Sequence, residues 1–172
     1  MAYFKNSADD WQRLDWRVLR DGGIALYWRS EYLAEDTQWL KTQDYVVYDF
    51  DCADWRSLDG MFEDFGRVLQ LPDWWGRNLD ALNDLITDLP LDQDHGAVIV
   101  LRHFDSFASN SQAILALDIF AGASRFYLLN GMRLIVLVQS DDPNIRIEPL
   151  GGAAPRWNSR EWLNANRNPS SR

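Results

Sequence analysis

Two stretches, Ala97–Leu101 (AVIVL) and Leu134–Val138 (LIVLV), are continuously apolar, as expected of strands buried on both faces. Ile24–Trp28 (IALYW) and Tyr45–Phe50 (YVVYDF), rich in aromatic and β-branched residues, predict two further strands. Between the strands the apolar spacing changes. Leu58, Met61, Phe62, Phe65, Val68 and Leu69 follow the i, i+3, i+4, i+7 pattern of an amphipathic helix, with Asp54 or Ser57 as its cap. Leu79, Leu82, Leu85, Ile86 and Leu89 mark the inner face of a helix over 78–88. Pro90 ends it, because the residue before a proline is pushed out of helical geometry. Residues 111–129 predict a long, largely buried helix, closed by Asn130-Gly131.

The two ends carry weaker signals. Residues 11–20 predict a short helix stopped by Asp21-Gly22-Gly23. Residues 31–42 predict another, with Tyr32, Leu33, Trp39 and Leu40 inward. Ile145–Glu148 reads as a strand, 151–155 as a Gly/Ala/Pro loop, and Ser159 as the start of a short helix capped by Asn158. Asn168–Arg172 reads as a frayed end. Strands alternating with helices imply an α/β fold, with parallel strands joined by helical crossovers.

Composition narrows the function. The 172 residues suffice for one domain with a real core. A net charge of −9 makes nucleic acid and anionic membrane poor partners, and suits a basic protein. Nine tryptophans either fill the core or build a contact surface. The single cysteine, Cys52, permits no intrachain disulfide, and Met1–Asp10 lacks the apolar centre of a signal peptide. The longest apolar region, Ile114–Ala123, is interrupted by Asp118 and Gly122 and reads as too short to cross a bilayer. The expectation is a cytoplasmic protein.

One helix stands out. On 78–88, Asp80, Asp84 and Asp88 sit at i, i+4 and i+8 and so share a face. Like charges at this spacing repel, and Asp84 and Asp88 lie where the helix dipole disfavours anions. Nothing nearby on the helix offsets them except Arg77. An acidic helix face is ordinarily just solvated, but here two tryptophans and a Gly-Arg-Asn turn precede it, and aromatic anchors beside fixed charges are typical of an interface centre.

The segment Leu71–Leu85, LPDWWGRNLDALNDL, strongly resembles the central motif of the barstar family. The order downstream agrees: the strand at 98–101, HFDSF at 103–107, a helix, a glycine and a buried strand. The resemblance covers about 45–139, leaving 1–44 and 140–172 as extensions packed on the core. It implies a small parallel sheet covered by helices, to which the N-terminal extension, with the apolar Ile24–Trp28, adds an edge strand and a covering helix. The flanks, rich in Trp and Tyr, could equally form a dimer contact.

The resemblance also implies inhibition of a basic ribonuclease or related toxin, as in toxin immunity, by an acidic helix placed in the active site. The family's founding member blocks barnase in this way, a standard example of steered, charge-rich recognition. By position, the aromatic contact falls on Trp74, the turn and its contact on Gly76 and Asn78, and the acidic contacts on Asp80 and Asp84. Asp84 would mimic a phosphate, with Asp80 as its flanking partner. Asn83 stands where the founding member has a tryptophan, and Asp88-Leu89 where it has Gly-Trp. The partner implied is therefore not barnase itself. A further acidic contact on the later helix has no clear place; Asp118 is the nearest candidate.

Other chemistry is thinner. Asp92, Asp94 and His95 match no metal-ligand spacing, Cys52 has no adjacent histidine, and Gly151-Gly152 lacks a phosphate-loop context. No catalysis, metal or cofactor is expected. Two alternatives stand beside the inhibitor. One is a regulatory interaction module that binds a non-toxin basic protein. The more distant one is a hydrolase using Asp80 and Asp84, although paired catalytic carboxylates normally face each other across a cleft.

Overall fold

The structure, a computed structural model, describes residue 4 and residues 7–167. Five strands form one all-parallel sheet: β1 (Ile24–Tyr27), β2 (Tyr45–Asp51), β3 (Gly96–Arg102), β4 (Leu134–Gln139) and β5 (Arg156–Trp157), in the order β2-β3-β4-β1-β5. The two continuously apolar segments are neighbours at the centre of the sheet, with Ile99 beside Val136 and Val100 beside Leu137. β2 is an edge strand, and only part of it is buried.

Because side chains alternate across a strand, each strand feeds both faces. Ile99, Leu101, Val136 and Val138 join Phe65, Leu82 and Phe120 under α4 (Leu58–Val68), α5 (Leu79–Ile86) and α6 (Ser111–Leu129). Val98, Val100 and Leu137 face the opposite way. They meet Tyr27, Leu33 and Leu40 under α2 (Leu14–Arg20) and α3 (Ser30–Thr42). The N-terminal segment therefore supplies the second layer, and β1 is not the expected edge strand: it pairs with β4 on one side and with β5 on the other.

The predicted helix at 11–20 is two helices, α1 (Ala8–Gln12) and α2, separated by Arg13 at φ −62°, ψ 142°. Arg13 turns out of the helix to give Nε and Nη2 to Asp15 at 3.0 and 2.8 Å. Ile145–Glu148 is not a strand; Ile145 and Ile147 pack on the core from an irregular segment, and the fifth strand is Arg156–Trp157. No helix begins at Ser159. Asn158 accepts from the Arg160 N–H at 3.0 Å and caps a turn, and α7 covers Asn164–Arg167. Asn168–Arg172 lies outside the described residues.

By length and composition α6 is long and apolar enough to cross a membrane, which its interruptions at Asp118 and Gly122 had not suggested. Its apolar content serves the core: Ala113, Leu117, Phe120 and Tyr127 are buried.

Candidate functional site: the Trp74 loop and helix α5

The candidate site begins where α4 ends. Gln70 takes a left-handed conformation (φ 55°), and the Leu71 N–H donates back to the Gly66 carbonyl at 2.9 Å, which stops the helix. Pro72 follows, and the Trp75 N–H closes a turn onto the Pro72 carbonyl at 2.9 Å. The two tryptophans then part. Trp75 is buried and meets Phe62 edge-on, with ring centroids 6.0 Å apart. A Cβ on Gly66 would lie 2.6 Å from its indole nitrogen, so that glycine makes room for the ring. Trp74, next in line, is 78% exposed. The buried ring anchors the loop and the other faces solvent.

Arg77 also adopts a left-handed conformation, φ 47°, which costs a non-glycine residue energy and is held here by what surrounds it. Its guanidinium reaches Glu63 on α4 at 3.1 Å. It therefore does not offset the acidic face of α5, contrary to the sequence reading. Asn78 caps α5: Oδ1 accepts from the Ala81 N–H at 2.9 Å, while Nδ2 donates to the Gly76 carbonyl at 2.9 Å. Both ends of the amide are used inside the turn. A Cβ on Gly76 would sit 2.9 Å from Asn78 Nδ2, so the turn is closed tightly at that point.

α5 ends at Ile86, two residues short of the predicted limit. Thr87 Oγ1 donates to the Asp84 carbonyl at 3.0 Å and closes the last turn. Asp88 is thus outside the helix, and the i, i+4, i+8 stripe reduces to Asp80 and Asp84. Leu82 and Ile86 face inward and are fully buried. From α6 the Tyr127 hydroxyl donates toward the Ile86 and Leu89 carbonyls at 3.0 and 3.3 Å, and burial pushes its pKa up to about 12. The C-terminal end of α5 is therefore pinned to the long helix.

Asp80, Asn83 and Asp84 are exposed, and their side chains make no hydrogen bond or ion pair among the described residues. Trp74, Gly76, Asn78, Asp80, Asn83 and Asp84 thus lie together along one loop and the turns that follow it, with Asp88 just beyond. Asp118 is elsewhere: it accepts from the Gly151 N–H at 2.7 Å and holds the C-terminal segment against α6. Gly66, Tyr127 and Glu63, which fix this surface, have no local signal in the sequence, since each acts on a residue distant in the chain. The Trp-Trp pair was the only hint that one ring would be an anchor.

The remaining candidates have structural roles. Asp92 accepts from the Asp94 and His95 N–H groups and lies 2.8 Å from His95 Nδ1, closing the turn into β3. Among the described residues no group of three metal-ligating side chains occurs. Cys52 is buried, which pushes its thiol above its ordinary value.

A family model described as "Barstar (barnase inhibitor)" matches residues 35–139. The chain belongs to the barstar family. The match begins inside α3 rather than at residue 45, and it takes in the whole Trp74–α5 surface. A Bacillus subtilis (strain 168) protein named "Putative ribonuclease inhibitor YrdF" is 38% identical over 58 residues, 32% of this chain and 57% of that protein. The chain thus spans a little over half the length of this relative. Two solved structures each overlap 73% of the chain. One is Drosophila ORC bound to AT-rich DNA and Cdc6, with TM-score 0.49, 14% identity and 42% of that chain covered. The other is the Aeropyrum pernix ORC2 protein (ADPNP-ADP complexes), with TM-score 0.47, 17% identity and 37% covered. At these scores neither bears on what the barstar-family chain does.

Proposed function

We propose that the chain inhibits a basic ribonuclease, or a related nuclease toxin, by lowering α5 and the Trp74 loop into the partner's phosphate-binding active site. One observation carries the reading. Asp80 and Asp84 stand one helical turn apart, exposed and without partners among the described residues, on a helix whose other face is fully buried.

A nuclease must hold phosphate with Arg, Lys or protonated His, and a carboxylate accepts hydrogen bonds from the same donors. Asp84 takes the phosphate's place and Asp80 flanks it. Pinning by Asn78 and Tyr127 means that little order has to be gained on binding, which favours affinity. Trp74 offers a flat apolar contact at the rim, and the net charge of −9 speeds encounter with a basic partner. Asn83 offers an amide where the founding member has an indole, so the partner differs from barnase. The inhibitory unit is 45–139, with 1–44 and 140–172 packed on it, and it acts in the cytoplasm without catalysis of its own. Asn83 is also what favours the second reading, a regulatory module for a basic protein that is not a toxin.

The test is a pull-down with wild-type and Asp80→Ala/Asp84→Ala baits, followed by a nuclease assay on what is recovered. A small basic nuclease captured and inhibited by wild type alone supports the proposal. A captured basic protein without nuclease activity moves the reading to the regulatory module. Equal inhibition by both baits overturns the role of α5.

A further inference from the structure

The sheet brings together four arginines that the sequence keeps apart. Arg17 and Arg20 come from α2, Arg125 from α6 and Arg156 from β5. They line two adjoining cavities, of about 500 and about 320 Å3, that share Arg20, Asp21 and Arg156. Asp21 is the only acidic side chain in either lining. In a chain of net charge −9, four guanidinium groups facing one carboxylate reverse the local sign.

Asp21 leaves most of that positive charge unused. It accepts from Arg20 Nε and Nη2 at 2.8 and 2.9 Å, and Arg156 Nη1 is 3.8 Å away. Arg125 Nη2 donates to the Gly151 carbonyl at 2.5 Å. Arg17 has no ion pair among the described residues. A guanidinium carries five N–H donors, so each arginine keeps several for an incoming anion. Gly22, at φ +105°, and Ala153 approach closely in the lining of the larger cavity: a Cβ on Gly22 would lie 2.8 Å from the Ala153 methyl carbon.

The smaller cavity is different in kind. Leu14, Val18 and Ile24 line it, together with the indoles of Trp157 and Trp162. Arg167 covers one face of Trp157 at 4.2 Å, whereas Trp162 is 67% exposed. A cluster of phosphate-binding donors thus adjoins an apolar slot with an open aromatic ring. Arginine forks match phosphate oxygens, and a flat base stacks on an indole.

We propose that this groove binds a nucleoside diphosphate or a closely similar ligand, with its phosphates on Arg20, Arg125 and Arg156 and its base against Trp162. The site lies on the extensions and α6, apart from α5, and does not rest on the inhibitor reading.

The test is calorimetric titration of the full chain with ADP, pyrophosphate and adenosine, at low and high salt. Wild type should bind ADP at one saturable site, more weakly as salt rises. Arg125→Glu/Arg156→Glu should weaken ADP and pyrophosphate by roughly tenfold or more at an unchanged melting temperature, both side chains being exposed. Trp162→Ala should weaken ADP and spare pyrophosphate. Should the double reversal impair folding, Arg156→Gln alone serves, with a smaller loss expected. Failure of wild type to bind ADP saturably, or equal affinity in a folded arginine variant, overturns the site. Equal affinity for ADP and pyrophosphate in wild type overturns the base slot and hence the ligand class.

Discussion

Acidic side chains do opposite work in two regions of this molecule. In the extensions, two of them are buried and saturated with hydrogen bonds. Asp15, fully buried, accepts from Arg13, from the Tyr45 hydroxyl at 3.0 Å and from the Trp16 N–H at 2.9 Å. Glu161, also fully buried, accepts from the Trp28 and Arg29 N–H groups at 3.0 Å each and from Asn158, and so closes off the end of β1. On α5, Asp80 and Asp84 are exposed and bonded to nothing among the described residues. A carboxylate that is already satisfied holds the fold; one left open at a fixed position is available to a partner. Position in the fold, not residue type, separates the two uses.

The comparison breaks most sharply at Asp15. Arg133 is buried between the Phe4 and Tyr45 rings, its nitrogens make no hydrogen bond, and its nearest carboxylate is Asp15 at 3.9 Å. Asp15→Ala strands that charge and should cost about 3–5 kcal/mol in denaturant unfolding. A loss below about 1 kcal/mol would mean that the two rings alone satisfy the guanidinium. Glu161→Ala leaves two N–H donors unpaired and should cost about 2–3 kcal/mol by the same measurement.

On α5 the expectation reverses. Asp84→Ala should leave stability within about 0.5 kcal/mol of wild type, since a repulsion is relieved and no bond is lost. Its cost should appear only against a basic nuclease, as dissociation faster by about tenfold or more in surface plasmon resonance. A large fall in melting temperature with unaltered binding would place Asp84 with Asp15 instead.

Asp51 lies between the two classes and sharpens the contrast least. Partial burial works to raise its carboxyl, but the ring N–H of His103 at 2.8 Å, the Ala53 N–H and the charge of Arg102 outweigh this and hold it below its ordinary value. A carboxylate with a lowered folded pKa contributes stability at pH values above its unfolded pKa and loses it as pH falls through the folded one. Asp51→Asn should therefore flatten the acid limb of the stability curve below about pH 4. Solvent screening at this half-open site keeps the effect under about 1 kcal/mol. Thermal melts of both proteins between neutral and acid pH provide the check.

Much of this was legible in the sequence where a pattern repeats locally. Continuous apolar runs marked β3 and β4, the 3.6-residue spacing marked α4, and LPDWWGRNLDALNDL pointed to the surface that α5 presents. The reading failed where a single contact decides. Thr87 bonding back to the Asp84 carbonyl ends α5 early and leaves Asp88 outside it. Glu63 draws Arg77 away from the acidic face. β5 has two residues, too few to alternate, and forms only because β1 offers it an edge.

By itself, the chain's order of residues determined the strands β1 to β4 and the helices α3 to α6, and which short motif ties it to the barstar family, because those depend on neighbours a few positions away. Only the tertiary structure decided that β1 enters the sheet between β4 and β5, that Trp75 is buried while Trp74 is exposed, and that Asp15 and Glu161 are bound while Asp80 and Asp84 are open. Each of those outcomes turns on burial and on partners brought together from across the chain, and a side chain's electrostatic role is set by what surrounds it in space.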